Sequence, residues 1–170
     1  MSGTANDAVS SPPVETPGDI LGQVSALCLT LPEVTVRVEA SLTKSRSTAH
    51  SFDIRRRSFC LLVALEGRTG KPVPLLVLRA DPAERDALVS IGHPFFAPRA
   101  GRGRIGVRLT DDTDWEEIRE LVTESYREGC SEEAHRIARL AGRPAHQSSR
   151  LATLPGWARL RARKPASIRG

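Results

Sequence analysis

Residues 101–106 read Gly-Arg-Gly-Arg-Ile-Gly, and the reading of this stretch decides the fold. It fits G-x-G-x-x-G, the fingerprint of the loop that holds a dinucleotide pyrophosphate in a doubly wound α/β domain. Such a loop needs a strand before it and a helix directly behind it, because the helix N-terminus and the loop amides hold the phosphates. Here the order is reversed. FFAPRA (95–100) is short and broken by Pro98, IGVRL (105–109) alternates like a strand, and the next helix signals wait until Asp114. There is no βαβ unit. A kinase-type glycine loop fails as well, since the chain of 170 residues is short and has no H-R-D catalytic motif. The stretch therefore reads as a flexible basic turn that displays Arg99, Arg102 and Arg104 and leads into a strand ending near Arg108.

Working outward, Thr113 and Glu116 read as a capping box opening a helix over 114–128, with Trp115, Ile118, Val122 and Tyr126 as its apolar stripe. A further short helix is expected at 131–141. Upstream, Asp81, Pro82 and Glu84 mark the start of a helix that runs to about Ser90 and is broken by Gly92-His93-Pro94. Before it lie strands at 73–78, at 58–65 and around Phe52 and Ile54, joined by turns at Gly67–Pro72 and Arg55–Arg57. Short connections make these an antiparallel meander. Val34, Val36 and Val38 alternate as another strand would, SLTKSRSTA (41–49) reads as a loop, and a helix is expected at 19–31 with Asp19 as its N-cap. The expected organisation is a disordered tail (1–18), one α+β domain with an antiparallel sheet packed by helices (19–142), and a basic, flexible tail (143–170).

Several function classes find no support. No run of apolar residues is long enough to span a membrane, and the N-terminus lacks the basic and apolar regions of a secretory signal, so the expected setting is the cytoplasm without membrane attachment. Three cysteines at 28, 60 and 130, without C-x-x-C, suit neither a disulfide framework nor a structural zinc site. His50, His93, His135 and His146 are scattered without metal-ligand spacing. Asp111, Asp112 and Asp114 read as capping and dipole-complementing groups. No activated nucleophile is framed, so the expectation is a non-enzymatic protein without metal or cofactor.

Charge is more informative. The formal net charge is +5, but residues 143–170 alone hold seven Lys/Arg and no acid, while 20–142 are almost balanced. Within the folded part, 99–108 carry four arginines and no acid, and 111–133 carry ten acids against two arginines. Three basic groups result: Arg55, Arg56 and Arg57; Arg99, Arg102, Arg104 and Arg108; and the tail, with Arg159, Arg161, Arg163 and Lys164 at its densest point. Guanidinium groups match phosphate with a planar fork of donors, and a basic tail adds salt-dependent attraction to a polyanion. Aromatic residues make up only 4%, so stacking on single strands is not the expected mode.

With these residues in view, the chain resembles the MmcQ/YjbR family of small bacterial proteins. The pieces that carry the likeness are LCLTLPEVT (27–35), FDIRRRSFCLLVAL (52–65), LLVLRADPAERDALVS (75–90), PFFAPRAGRGRIGVRL (94–109) and DWEEIRELVTESYRE (114–128). The resemblance implies a compact CyaY-like fold and DNA binding through a double-wing arrangement. By it, the hairpin around Arg55–Arg57 corresponds to an R-V-x-G-K-type turn, and Arg99–Gly106 to a G-[RK]-x-G-W turn. Arg104-Ile105 here replaces the usual Gly-Trp, and SRSTAHS (45–51) stands where a W-G-H-like segment is common, with His50 alone suggestive. Iron binding of the frataxin kind would need an acidic first helix, and this one has only Asp19. The expected ligand is double-stranded DNA, bound with little sequence selectivity, since no recognition helix stands out. The alternative is a protein-interaction module whose acidic helix face (Glu117, Glu120, Glu124, Glu128) meets a basic partner.

Overall fold

The computed structural model describes residues 14–40, 47–99, 101 and 103–140. Expectations about 1–13, 41–46, Arg102 and the basic tail, including Arg159, Arg161, Arg163 and Lys164, lie outside the described residues. The elements in order are α1 (Gly18–Leu29), β1 (Val34–Ala40), β2 (Thr48–Ile54), β3 (Arg57–Glu66), β4 (Pro72–Arg79), α2 (Pro82–Ile91), β5 (Phe95–Phe96), β6 (Arg104–Arg108) and α3 (Trp115–Leu140). The fold is α+β. Its six strands pair antiparallel throughout in the order β1-β2-β3-β4-β6-β5. The expected meander is present and gains β1 as a fourth strand. The glycine stretch is a turn that runs into β6, with no helix behind it.

The alternation of the strands places one core between sheet and helices. Phe52, Ile54, Cys60, Leu62, Leu76, Leu78, Ile105 and Val107 meet Val24 and Cys28 of α1, Leu88 of α2, and Ile118, Leu121 and Val122 of α3. Burying each large apolar side chain contributes about 1.5–3 kcal/mol, so this single layer carries most of the stability. Leu61, Val63 and Leu75, on the alternate positions, face away from the helices and stay half-buried. Cys28 and Cys60 are free and buried, and burial, with Cys28 alongside, pushes the Cys60 thiol well above its ordinary range.

A bulge sits at the start of β3. Phe52 pairs with Cys60 but Asp53 pairs with Ser58, leaving Phe59 as the extra residue. The bulge turns Phe59 and Cys60 both into the core, where Phe59 meets Tyr126 edge-on at a ring separation of 5.6 Å. Ser125 of α3 repairs the interrupted ladder. Its hydroxyl donates to the Phe59 carbonyl (2.6 Å) and accepts the Arg79 N–H (2.7 Å).

Three local expectations are corrected. The helices expected at 114–128 and 131–141 are one helix, because SEEAHRIARL has no breaker and Gly129 continues the turn, in a place where a Cβ would just touch Ile54 and Phe59 at 3.5 Å. Its N-cap is Asp114, whose Oδ1 accepts from the N–H groups of Glu116 (3.1 Å) and Glu117 (3.4 Å), while Thr113 instead accepts from the Thr110 N–H. The cap of α1 is Pro17, not Asp19, which lies inside the first turn. The cap of α2 is as expected: Asp81 accepts from the Ala83 N–H at 3.0 Å, with Pro82 in the first turn. Within the stretch 1–18 expected to be disordered, Val14 bridges Ser47 and Thr16 is buried.

Candidate nucleic-acid interface

Strand register brings distant arginines to one end of the sheet. Ile54 pairs with Arg57, so Arg55 and Arg56 form a two-residue hairpin tip between β2 and β3. Arg79 ends β4 and pairs with Arg104, the first residue of β6. The turn carrying Arg99 and Gly101 leads directly into Arg104, and the Ala80 N–H donates to the Gly103 carbonyl at 3.2 Å. The Ser58 carbonyl joins the parts: it accepts from Arg79 Nε at 2.8 Å and from Arg104 Nη2 at 3.3 Å. Arg85 of α2 adds a further connection by donating from Nε to the Arg104 carbonyl (3.1 Å), with its Nη1 on Asp86 (2.6 Å). Neither Arg79 nor Arg85 was anticipated. Only the pairing of Arg79 with Arg104 and the placement of α2 beside β6, which one sequence does not reveal, could have pointed to them.

The hairpin tip is held in an unusual backbone. Arg55 has φ 47° and Arg56 has φ 68°, left-handed at both central positions. A two-residue hairpin of this kind prefers Asn-Gly, and a residue with a Cβ costs roughly 1–2 kcal/mol in this region. Arg55 is tied down by a two-point contact with Glu33, at 2.8 and 3.3 Å. The hydrogen bond and charge of Arg55 hold the Glu33 carboxyl below its usual range. Both side chains are more than half exposed, so the pair positions the tip and stabilises it little. Arg56 and Arg99 are exposed and make no hydrogen bond or ion pair among the described residues. Arg57 and Arg104 are half-buried in the body of the site.

The glycine turn has a separate logic at each end. Gly101 has φ 114°, a conformation that side chains rarely adopt. At Gly106, the ring of Phe96 occupies the place a Cβ would take. Any side chain there would displace that ring, which lies against the face of the sheet opposite the helices. Arg108 does not join the cluster. It sits four residues along β6, about 13 Å from Arg104 at the rise of an extended strand.

A cleft of about 310 Å³ opens between Arg79, Ala80, Asp81, Pro82, Gly103, Arg104 and Glu128. Glu128 belongs to the acidic stripe of α3, so part of that stripe faces the arginines. Glu117, Glu120 and Glu124 are half-buried, Glu124 pairs with Arg127 at 2.7 Å, and Glu120 Oε2 is buried with no hydrogen-bond partner among the described residues. His50, in the middle of β2, has its Nδ1 buried without a partner among the described residues, and desolvation lowers its pKa. Among the described residues no three His, Cys, Asp or Glu side chains gather as metal ligands. No described helix is long and apolar enough to cross a membrane.

Neither the curated proteins nor the solved structures compared with the chain give a match. A protein-family model described as YjbR does match, over residues 29–128. That span runs from the end of α1 through all six strands and into α3, and so takes in the hairpin tip, the glycine turn and the cleft. The chain belongs to the YjbR family.

Proposed function

We propose that this protein binds double-stranded DNA without catalysing a reaction, by setting the arginine-rich end of its sheet against the phosphate backbone. One observation carries the reading: two arginine groups some forty-five residues apart in sequence lie at the same sheet end, with Arg56 and Arg99 exposed and unpaired there among the described residues. Guanidinium groups on projecting turns can straddle a phosphate backbone as wings do, and phosphate contacts fix orientation without reading sequence. Contacts of that kind account for weak sequence selectivity. The basic residues Arg159, Arg161, Arg163 and Lys164 add sequence-independent attraction by releasing counterions. Three free cysteines, two of them buried, suit a reducing cytoplasm.

The rival reading, a basic protein partner on the acidic stripe, has less support, since Glu124 and Glu128 are engaged within the protein. The test is fluorescence anisotropy of a labelled duplex at several salt concentrations. For the full chain, log K should fall linearly with log salt. Arg56→Ala and Arg99→Ala should each reduce that slope by about 1 and together weaken binding about tenfold or more. Unchanged affinity and slope in the double variant would remove the sheet end from the interface.

A further inference from the structure

We infer that the outer edge of β1 is a self-association surface, on which a second copy of this chain pairs antiparallel to give one continuous sheet. β1 is the terminal strand of the sheet order, so one side of its backbone has no ladder partner among the described residues. Four consecutive residues, Thr35 to Val38, are exposed. Val36 and Val38 share a face and are 48% and 61% exposed, two of the four exposed large apolar residues of the described chain. Edge strands are ordinarily blunted by Pro or by charged side chains, Lys above all. Val34–Ala40 contains no Pro or Lys. Its two charges are neutralised alongside it: Arg37 Nη1 lies 3.0 Å from Glu39, and Arg37 Nη2 lies 3.0 Å from Asp53.

The strand is complementary to itself. In a two-fold antiparallel pairing centred on Val38, Val38 faces Val38 of the second copy. Val36 then faces Ala40, and on the opposite face Arg37 stands across from Glu39, twice by symmetry. Cross-strand apolar contacts and opposite charges both favour this register, and an isologous interface needs this self-complementarity. Centring on Arg37 instead would set the two Arg37 side chains against each other, which disfavours that register. The seven-residue strand makes a small interface, so the equilibrium is concentration-dependent.

The experiment is sedimentation or light scattering of the full chain over a wide concentration range, beside Val38→Lys and Glu39→Arg. Both substituted positions lie at the edge, and Arg37 keeps Asp53 in each variant. Circular dichroism and a melting curve check that the variants fold. The mass of the unaltered chain should rise toward twice 18.5 kDa, and each variant should need about tenfold more protein to associate. A chain that stays at 18.5 kDa up to its solubility limit overturns the inference, as does a dimer that either folded variant leaves intact.

Discussion

Strand β3 ends in two hairpins that solve the same problem differently. At the far end, Gly67 and Gly70 build the turn to β4. The Gly67 N–H donates to the Lys71 carbonyl at 2.9 Å, the Gly70 N–H donates to the Gly67 carbonyl at 3.0 Å, and the positive φ of 74° falls on Gly70. At the near end, φ values of 47° and 68° fall on Arg55 and Arg56. The two ends also differ in company. Arg68 and Lys71 at the far turn share their end of the sheet with the exposed Glu66, Asp111 and Asp112, since the Leu109 N–H donates to the Pro74 carbonyl at 3.0 Å. At the near end, Arg56 is joined by Arg57, Arg79, Arg99 and Arg104, which outnumber the acids Glu33, Asp81 and Glu128 found there. A glycine turn is what folding alone selects. An arginine turn in the same backbone region holds strain where guanidinium groups are displayed, the pattern expected of a binding surface.

The largest effect should come from the support beneath the strained end. Ser125→Ala leaves the Phe59 carbonyl and the Arg79 N–H without their partner and should destabilise the fold by about 1–3 kcal/mol in denaturant unfolding. Next, Gly70→Arg would place arginine at φ 74° where nothing lies within 4 Å of its Cβ, so it measures backbone strain alone. A loss of about 1 kcal/mol is expected, the same cost that Arg56 carries. The smallest effect sharpens the contrast between the ends: Arg68→Ala with Lys71→Ala should change duplex affinity less than about twofold, far below the loss on removing Arg56 and Arg99.

Much of this architecture was legible in the residues. SFCLLVAL and VPLLVL (73–78) declared adjacent strands through apolar runs with turn chemistry between them, and DPAE declared the start of α2. The glycine fingerprint was settled by its C-terminal neighbour, since an alternating IGVRL cannot be a helix N-terminus. Other features depended on tertiary contacts. Gly129 looks like a helix end but packs against Ile54 and Phe59 inside α3. The bulge at Phe59 shifts register without any local signal, because Ser58-Phe59-Cys60 holds no Gly or Pro to mark it. For the site, Arg55–Arg57 and Arg99–Arg104 could be singled out as basic turns. Their meeting, the participation of Arg79 and the separation of Arg108 come from strand register, and the participation of Arg85 comes from the packing of α2 beside β6.

The most direct measurement pairs stability with affinity in one variant, Arg55→Asn/Arg56→Gly, which gives the near hairpin the turn its backbone prefers. If the tip is strained in order to meet DNA, unfolding should show a gain of about 1 kcal/mol while duplex affinity drops about tenfold and the salt slope shrinks. A gain in stability with unchanged affinity would contradict the account, leaving the arginine hairpin a strained turn that does not touch DNA.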